Sequence, residues 1–295
     1  MTSGASSLRA GAAPILSVLV VLLAIWTLAA IALNWQTTSD RLARENPAYD
    51  TAALVAATLS SDRPILPAPH QIVAEMAGTI FGVRPSSPRS LLFHAGVTLS
   101  STLLGFIMGT LLGIALALGI LNSRTLDKSL MPWIIASQTI PILAIAPMLI
   151  VVLNSVGVTG LVPKALISTY LSFFPVTVGM VKGLRSPDRM HLDLMRTYAA
   201  NTRQLLYKLR LPASLPFLFA SMKVAVAAAL VGAIVGELPT GARAGLGARL
   251  LAGSYYGQTI QIWSALVMAA LMAGCLVAAI SLAERIVLSR TGQVR

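Results

Sequence analysis

Apolar runs long enough to cross a membrane recur along this chain, and no other feature constrains its fold as tightly. About 20 consecutive apolar residues carry a helix across the hydrocarbon core of a bilayer. Residues 14–33 form the first such run, and others fall near 90–121, 130–153, 161–181, 213–236 and 259–283. Inside hydrocarbon each backbone N–H and C=O must find a partner within its own segment, so each run is expected as an α-helix. The expected fold is all-α, an integral membrane protein with six transmembrane helices. Of the 295 residues, 56% are hydrophobic and 11% charged, whereas soluble domains carry about 25% charged residues. The run at 14–33 is too long for the apolar core of a cleaved signal peptide, and no small-residue cleavage site follows it. It therefore reads as the first span.

Six spans place both termini on one side of the membrane. Arg9, Arg124, Lys128, the basic stretch 182–212, Arg285, Arg290 and Arg295 share that side. Most Lys and Arg of the other side lie in one long segment, where positional bias weakens. The termini and the 182–212 stretch are thus expected in the cytoplasm. The net charge of +12 follows from basic loops facing anionic lipid. Its dispersal over separate loops, with no binding motif, argues against nucleic acid as a partner. Cys275 is alone within an apolar run, so there is no disulfide framework and no thiolate metal site. His70, His94 and His191 lack metal-ligand spacing.

Along the chain, residues 1–89 comprise the first span and a long polar external segment. That segment includes a short helix near 70–81, expected on the membrane surface. Residues 90–288 hold the other five spans, and 289–295 form a cytoplasmic tail. Gly105, Gly109 and Gly113 recur every four residues on one helix face, as do Ala228, Gly232 and Gly236; such stripes let a neighbouring helix approach closely. The third span is interrupted by Pro132, Pro141 and Pro147, and proline frees carbonyls and bends a membrane helix. Ser137 and Gln138, beside Pro141, are candidates for lining the translocation path or for an inter-helix hydrogen bond. Glu237 ends the fifth span on the external side. An acidic group at that depth reads as a path or gate residue, or as a carboxylate paired with Arg243 or Arg249 or capping a loop. Lys223 either snorkels or forms a packing pair.

Met190 to Pro212 carries Arg196, Arg203, Lys208 and Arg210 between two spans. It cannot enter hydrocarbon, so a short helix over 190–207 is expected on the aqueous side. With apolar and polar faces both present, such a helix is a docking surface for a soluble partner. No Gly-x-x-x-x-Gly-Lys-[Ser/Thr] sequence occurs, so the chain does not itself cradle nucleotide phosphates. A gradient-driven transporter or channel would require ionisable residues in mid-span and internal repeats. A membrane-embedded enzyme would require paired carboxylates or a His/Asp cluster, and neither appears.

The stretch from Asp193 to Pro212 resembles the cytoplasmic coupling motif of bacterial ABC-importer permeases. That motif reads Glu-Ala-Ala, three residues, Gly, then a fixed gap to an Ile-x-Leu-Pro ending. Asp193 stands at the Glu position, Leu194 and Met195 replace the two Ala, and Ala199 replaces the Gly. Leu209, Arg210, Leu211 and Pro212 keep the gap and the ending. Arg196-Thr197-Tyr198, Leu66-Pro67-Ala68-Pro69, the Pro-rich third span, and Gly236-Glu237 followed by Gly245-Leu246-Gly247 are similar to the nitrate, sulfonate and taurine branch. The resemblance covers about residues 64–288. It implies a type I permease core whose segment Asp193, Leu194, Met195, Arg196, Thr197, Tyr198, Ala199 and Ala200 couples to an ATPase. It also implies two ATPase subunits that hold ATP and Mg, none being held by this chain, and a second permease copy or paralogue. An extracytoplasmic solute-binding protein and a place in the bacterial inner membrane complete the expectation. The expected solute is a small anion such as a sulfonate, taurine or nitrate.

Overall fold

Residues 3–45, 49–239 and 244–290 are described in a computed structural model, with side chains from residue 14 onward. Every regular element among them is helical. In chain order these are α1 (Ser3–Glu45), α2 (Thr51–Leu59), α3 (Pro69–Phe81), α4 (Leu91–Asn122), α5 (Arg124–Ser137), α6 (Ile142–Ser155) and α7 (Leu161–Leu184). They are followed by α8 (Arg189–Thr197), α9 (Thr202–Leu205), a π-helical turn (Leu206–Arg210), α10 (Leu211–Glu237), α11 (Leu246–Tyr255) and α12 (Thr259–Arg290). Five helices are long and apolar enough to cross a membrane: Pro14–Glu45, Leu91–Asn122, Leu161–Leu184, Thr202–Glu237 and Thr259–Arg290. A sixth crossing results if α5 and α6 are counted as one bent span.

Four boundaries differ from the sequence expectation. Residues 34–45 continue α1 rather than opening a loop, and this stretch holds neither glycine nor proline to stop a helix. The external segment after it contains α2 and α3. Residues 130–153 do not form one bent helix, because α5 and α6 meet at 98° across Gln138–Pro141. Pro141 takes the N-cap position of α6, where its missing N–H removes no helical bond. Pro132 and Pro147 sit inside their helices without breaking them. The fifth span starts near Thr202 rather than at 213, because Pro212 falls in the first turn of α10 and the π turn leads straight into it.

The chain divides into two compact units. The first comprises residues 1–91 and 249–266. Within it, Asn34 is buried and ties α1 to the link before α3. Its side-chain amide donates to the Leu66 carbonyl at 2.8 Å, and its carbonyl oxygen accepts from the Ile65 N–H at 2.6 Å. The Trp26 indole donates to the Pro67 carbonyl at 3.0 Å and stacks at a tilt on Trp263, 4.9 Å between ring centres.

The second unit comprises residues 92–248 and 267–295, and its centre is the pair α7 and α10. Small residues bring these two helices together along their whole length. A side chain at Gly179 or Gly183 of α7 would strike Ser221, Phe217 or Ser214 of α10, and one at Gly232 or Gly236 of α10 would press on Ser168, Ile167 or Lys164 of α7. In lipid there is little hydrophobic drive between helices, so such close packing carries the association. Gly105, Gly109 and Gly113 seat α4 on Ser168, Ser172 and Val176 of α7 in the same way. Thr169 Oγ1 donates to the Gly105 carbonyl at 3.2 Å. Aliphatic clusters fill the space between: Ala117, Ile120, Ile134, Met180 and Leu184 toward α5, and Phe106, Val176, Val226 and Ala229 at mid-height.

Candidate functional site

The segment joining α7 to α10 is shaped by a break. Helix α8 ends at Thr197, and Ala199 adopts φ 49°, the left-handed conformation that terminates helices. Asn201 then starts α9, accepting from the Gln204 N–H at 2.8 Å while the Gln204 side chain accepts from the Asn201 N–H at 3.0 Å. The expected 190–207 helix is therefore a nine-residue helix, a left-handed turn and the start of the fifth span. No residue of α8 is buried. Met190, Leu194 and Tyr198 lie four residues apart and are 75%, 53% and 78% exposed. That spacing forms an apolar ridge facing away from the protein. Asp193 and Arg196 pair with each other at 2.9 Å on the same short helix. Met195, Thr197, Ala199 and Ala200 complete the stretch, with Ala199 exposed and Ala200 half-buried.

At the opposite end of α10, Glu237 is fully enclosed. Its carboxylate accepts from Thr98 Oγ1 of α4 at 2.9 and 3.0 Å and from the Gly247 N–H at 2.8 Å. Lys164 Nζ of α7 lies 4.0 Å away and also donates to the Ala244 carbonyl at 3.4 Å. The Gly245 N–H meets His94 Nδ1 at 3.1 Å, and the Leu246 N–H donates to Thr98 Oγ1 at 2.8 Å. Side chains of three helices, α4, α7 and α10, thus hold the turn 244–247. A Cβ on Gly245, where φ is +124°, would stand 2.2 Å from the Glu237 carboxyl carbon, so only glycine fits. In this geometry the Glu237 carboxylate caps the turn 244–247. Neither proposed arginine partner is seen on it. Arg249 instead pairs with Glu75 at 3.1 Å and donates to the Arg89 carbonyl, and Arg243 lies outside the described residues. Burial lowers the Arg249 guanidinium below its usual value, and the Glu75 carboxylate opposes that shift.

Truncating Glu237 to alanine would strand the Thr98 hydroxyl and the Gly247 N–H and leave the Lys164 ammonium only the Ala244 carbonyl. Each stranded donor costs about 1–3 kcal/mol. A lowered thermal midpoint of the purified protein is expected for Glu237→Ala. A smaller drop is expected for Glu237→Gln, which retains a carbonyl acceptor.

The other candidates are dispersed. Ser137, Gln138 and Pro141 sit together at the α5–α6 break, with Gln138 and Pro141 exposed. Gln138 Nε2 donates to Ser137 Oγ at 3.3 Å, and the Tyr170 hydroxyl of α7 donates to the Ser137 carbonyl. Tyr170 therefore satisfies a carbonyl that the break frees within the membrane. Lys223 takes the packing-pair alternative, 2.5 Å from Glu284 of α12. No group of three or more potential metal ligands occurs among the described residues.

Residues 109–293 match the model of the family described as binding-protein-dependent transport system inner membrane component. The match spans more than half of the chain and contains all of α8, Lys164, Glu237 and the turn 244–247, while His94 and Thr98 lie before it. The chain belongs to this family. A probable ABC transporter permease protein of Haemophilus influenzae is 35% identical over 183 residues, 62% of this permease and 73% of the relative. The formylaminopyrimidine transport permease protein ThiX of Halalkalibacterium halodurans is 34% identical over 62% of this permease and 68% of its own length. The putative aliphatic sulfonates transport permease protein SsuC of Bacillus subtilis is 26% identical, covering 70% and 71%.

As a permease of a binding-protein-dependent system, the protein is a multi-pass, non-enzymatic membrane subunit, and ATP hydrolysis belongs to separate subunits. This replaces the gradient-driven alternative. Several of the permease's structural residues had no readable signal in sequence. Thr98, His94 and Lys164 converge on the turn 244–247 from distant positions in the chain, and Asn34 resembles any polar residue ending a span. Gly179 and Gly183 do share an i, i+4 spacing, the same signal that marks Gly105 to Gly113.

Proposed function

We propose that this permease forms half of the translocation path of an ATP-driven importer, pairing with a second copy or a paralogue. Two cytosolic ATPase subunits, which bind ATP and Mg, dock on residues 189–200. An extracytoplasmic binding protein delivers the solute, and both termini face the cytoplasm. The observation that carries this reading is α8, a nine-residue helix with an exposed Met190–Leu194–Tyr198 ridge and no buried side chain. It joins the two most closely packed helices of the second unit. A partner that shifts α8 acts on both α7 and α10, whose glycine contacts leave them little freedom to move separately.

For the solute, a neutral nitrogen heteroaromatic is favoured over the small anion expected from sequence. An anion on its path needs a cation free to meet it. Lys164 of α7 and Lys223 of α10 face carboxylates, Glu237 and Glu284, and Lys182 in the last turn of α7 lies 6.0 Å over the Phe217 ring. Relatives at 34% and 33% identity are named for formylaminopyrimidine and riboflavin transport, while those named for sulfonates and taurine stand at 26% and 27%. The test is ATP-dependent uptake by the permease reconstituted with its ATPase and binding protein. Pyrimidine or flavin solutes are expected to be taken up, and excess taurine or nitrate is expected not to compete. Uptake of taurine or nitrate in preference to the heteroaromatics would overturn the assignment.

A further inference from the structure

The geometry points to α3 as a helix seated in the outer leaflet, with lipid acyl chains as the occupant of its outward face. Val73, Ala74, Ala77, Gly78 and Phe81 are all exposed. Their i, i+4 and i, i+3 spacings place them on one side of the helix. Val73 is 65% and Phe81 86% exposed, and a methyl group on Gly78 would meet nothing within 4 Å. No polar side chain interrupts this stripe over three turns. Among the polar residues of α3, His70 is exposed at the N-terminal end of the stripe, four residues before Ala74, while Gln71 and Glu75 point elsewhere. Gln71 donates to the Ser61 carbonyl at 2.9 Å and Glu75 pairs with Arg249.

Depth identifies what covers the stripe. The link before α3 runs beside α1, with Leu66 held by Asn34 and Pro67 by Trp26. Trp26 and Asn34 bracket the last two turns of the apolar run of α1, roughly 10 Å of helix. Pro67 and Ala68 are buried there, so α3 begins level with the outer edge of the hydrocarbon. Helix α1 likewise exposes Ile15, Leu19, Leu22 and Ile25, each more than half exposed. Amphipathic helices lie in this way about 5–10 Å into the boundary between headgroups and acyl chains. Charge agrees, since the exposed residue that follows Phe81 and Val83 is Arg84, suited to a lipid phosphate, and the only carboxylate of α3 is turned inward onto Arg249. The Glu75–Arg249 pair fastens α3 to α11, so the leaflet steadies the external helices of the first unit.

Spin-label accessibility tests the assignment. Val73→Cys, Ala77→Cys and Phe81→Cys would each be made in a Cys275→Ser background. The labelled full-length protein would be assembled with its ATPase and reconstituted in phosphatidylglycerol-containing liposomes. Collisions with oxygen, which concentrates in lipid, and with a water-soluble nickel chelate are compared with Leu19→Cys and Asp62→Cys as lipid and water references. The expected oxygen-to-nickel ratio at all three positions follows Leu19. A nickel collision rate matching Asp62 would place the face in water and overturn the inference. Exclusion of both reagents would also overturn it, by showing that protein, such as a second copy of the chain, covers the stripe.

Discussion

Replacing Gly105 by valine is expected to prevent recovery of a folded, monodisperse protein. A Cβ there stands 2.2 Å from Ser168 Cβ and 2.6 Å from the Ala165 carbonyl of α7. The carbonyl belongs to the backbone, so rotating a side chain does not relieve the clash and the helices must separate. Separation also strains the bonds that Thr169 and Ser172 donate to the Gly105 carbonyl. Overpacking of a close-packed contact costs about 1–3 kcal/mol, and a backbone collision lies at or beyond the top of that range. Gly96→Ala on the same helix is the control. Nothing lies within 4 Å of its added methyl, and alanine gains up to about 1 kcal/mol of helix propensity over glycine. Thermal unfolding in detergent, with yield from size-exclusion chromatography, separates the two. Equal midpoints for both variants would show that α4 and α7 are not packed through this stripe.

The second large effect is expected at α8 and leaves the fold intact. Leu194→Asp places a charge in the centre of the apolar ridge, and Ala200→Trp adds bulk beside the left-handed turn. Because α8 buries no side chain, Leu194→Asp should unfold at the wild-type temperature, whereas Ala200, half-buried beyond the helix, should lower it slightly when replaced by Trp. ATP-driven solute uptake in proteoliposomes should nevertheless fall at least tenfold, corresponding to about 1.4 kcal/mol or more of lost docking free energy. Ala199→Gly provides the contrast. Glycine adopts the positive φ of this position without the steric cost of about 1 kcal/mol that a Cβ carries. Its uptake should match the wild type, with stability equal or slightly higher. Wild-type uptake by Leu194→Asp would remove the ridge from the docking surface.

These two regions were legible in the sequence to different degrees. The glycine stripe of α4 was, because a period of four in an apolar run has a single geometric meaning. The stretch 190–212 reads as one helix followed by a span, and its internal break at Ala199 was not read, since alanine itself does not announce a positive φ. Prolines misled in both directions. Of the three prolines expected to interrupt the third span, Pro132 and Pro147 lie inside helices and Pro141 coincides with the break, where the Tyr170 hydroxyl donates to the Ser137 carbonyl. Polar residues misled most. Asn34 to Glu45 has the composition of a loop and folds as helix. Glu237 reads as a path or gate residue, as a partner of Arg243 or Arg249, or as a loop cap, and Thr98 and Gly247, 139 and 10 positions away, enclose it. Such long-range capping leaves no periodic trace along the chain.

A photo-reactive benzoylphenylalanine at position 194, illuminated in native membranes that contain the cognate ATPase, tests the central claim most directly. The account predicts an adduct of this permease with the ATPase subunit, absent when the same group is placed at Val73. An adduct with an extracytoplasmic protein, or none with the ATPase while position 194 remains reactive, would contradict it.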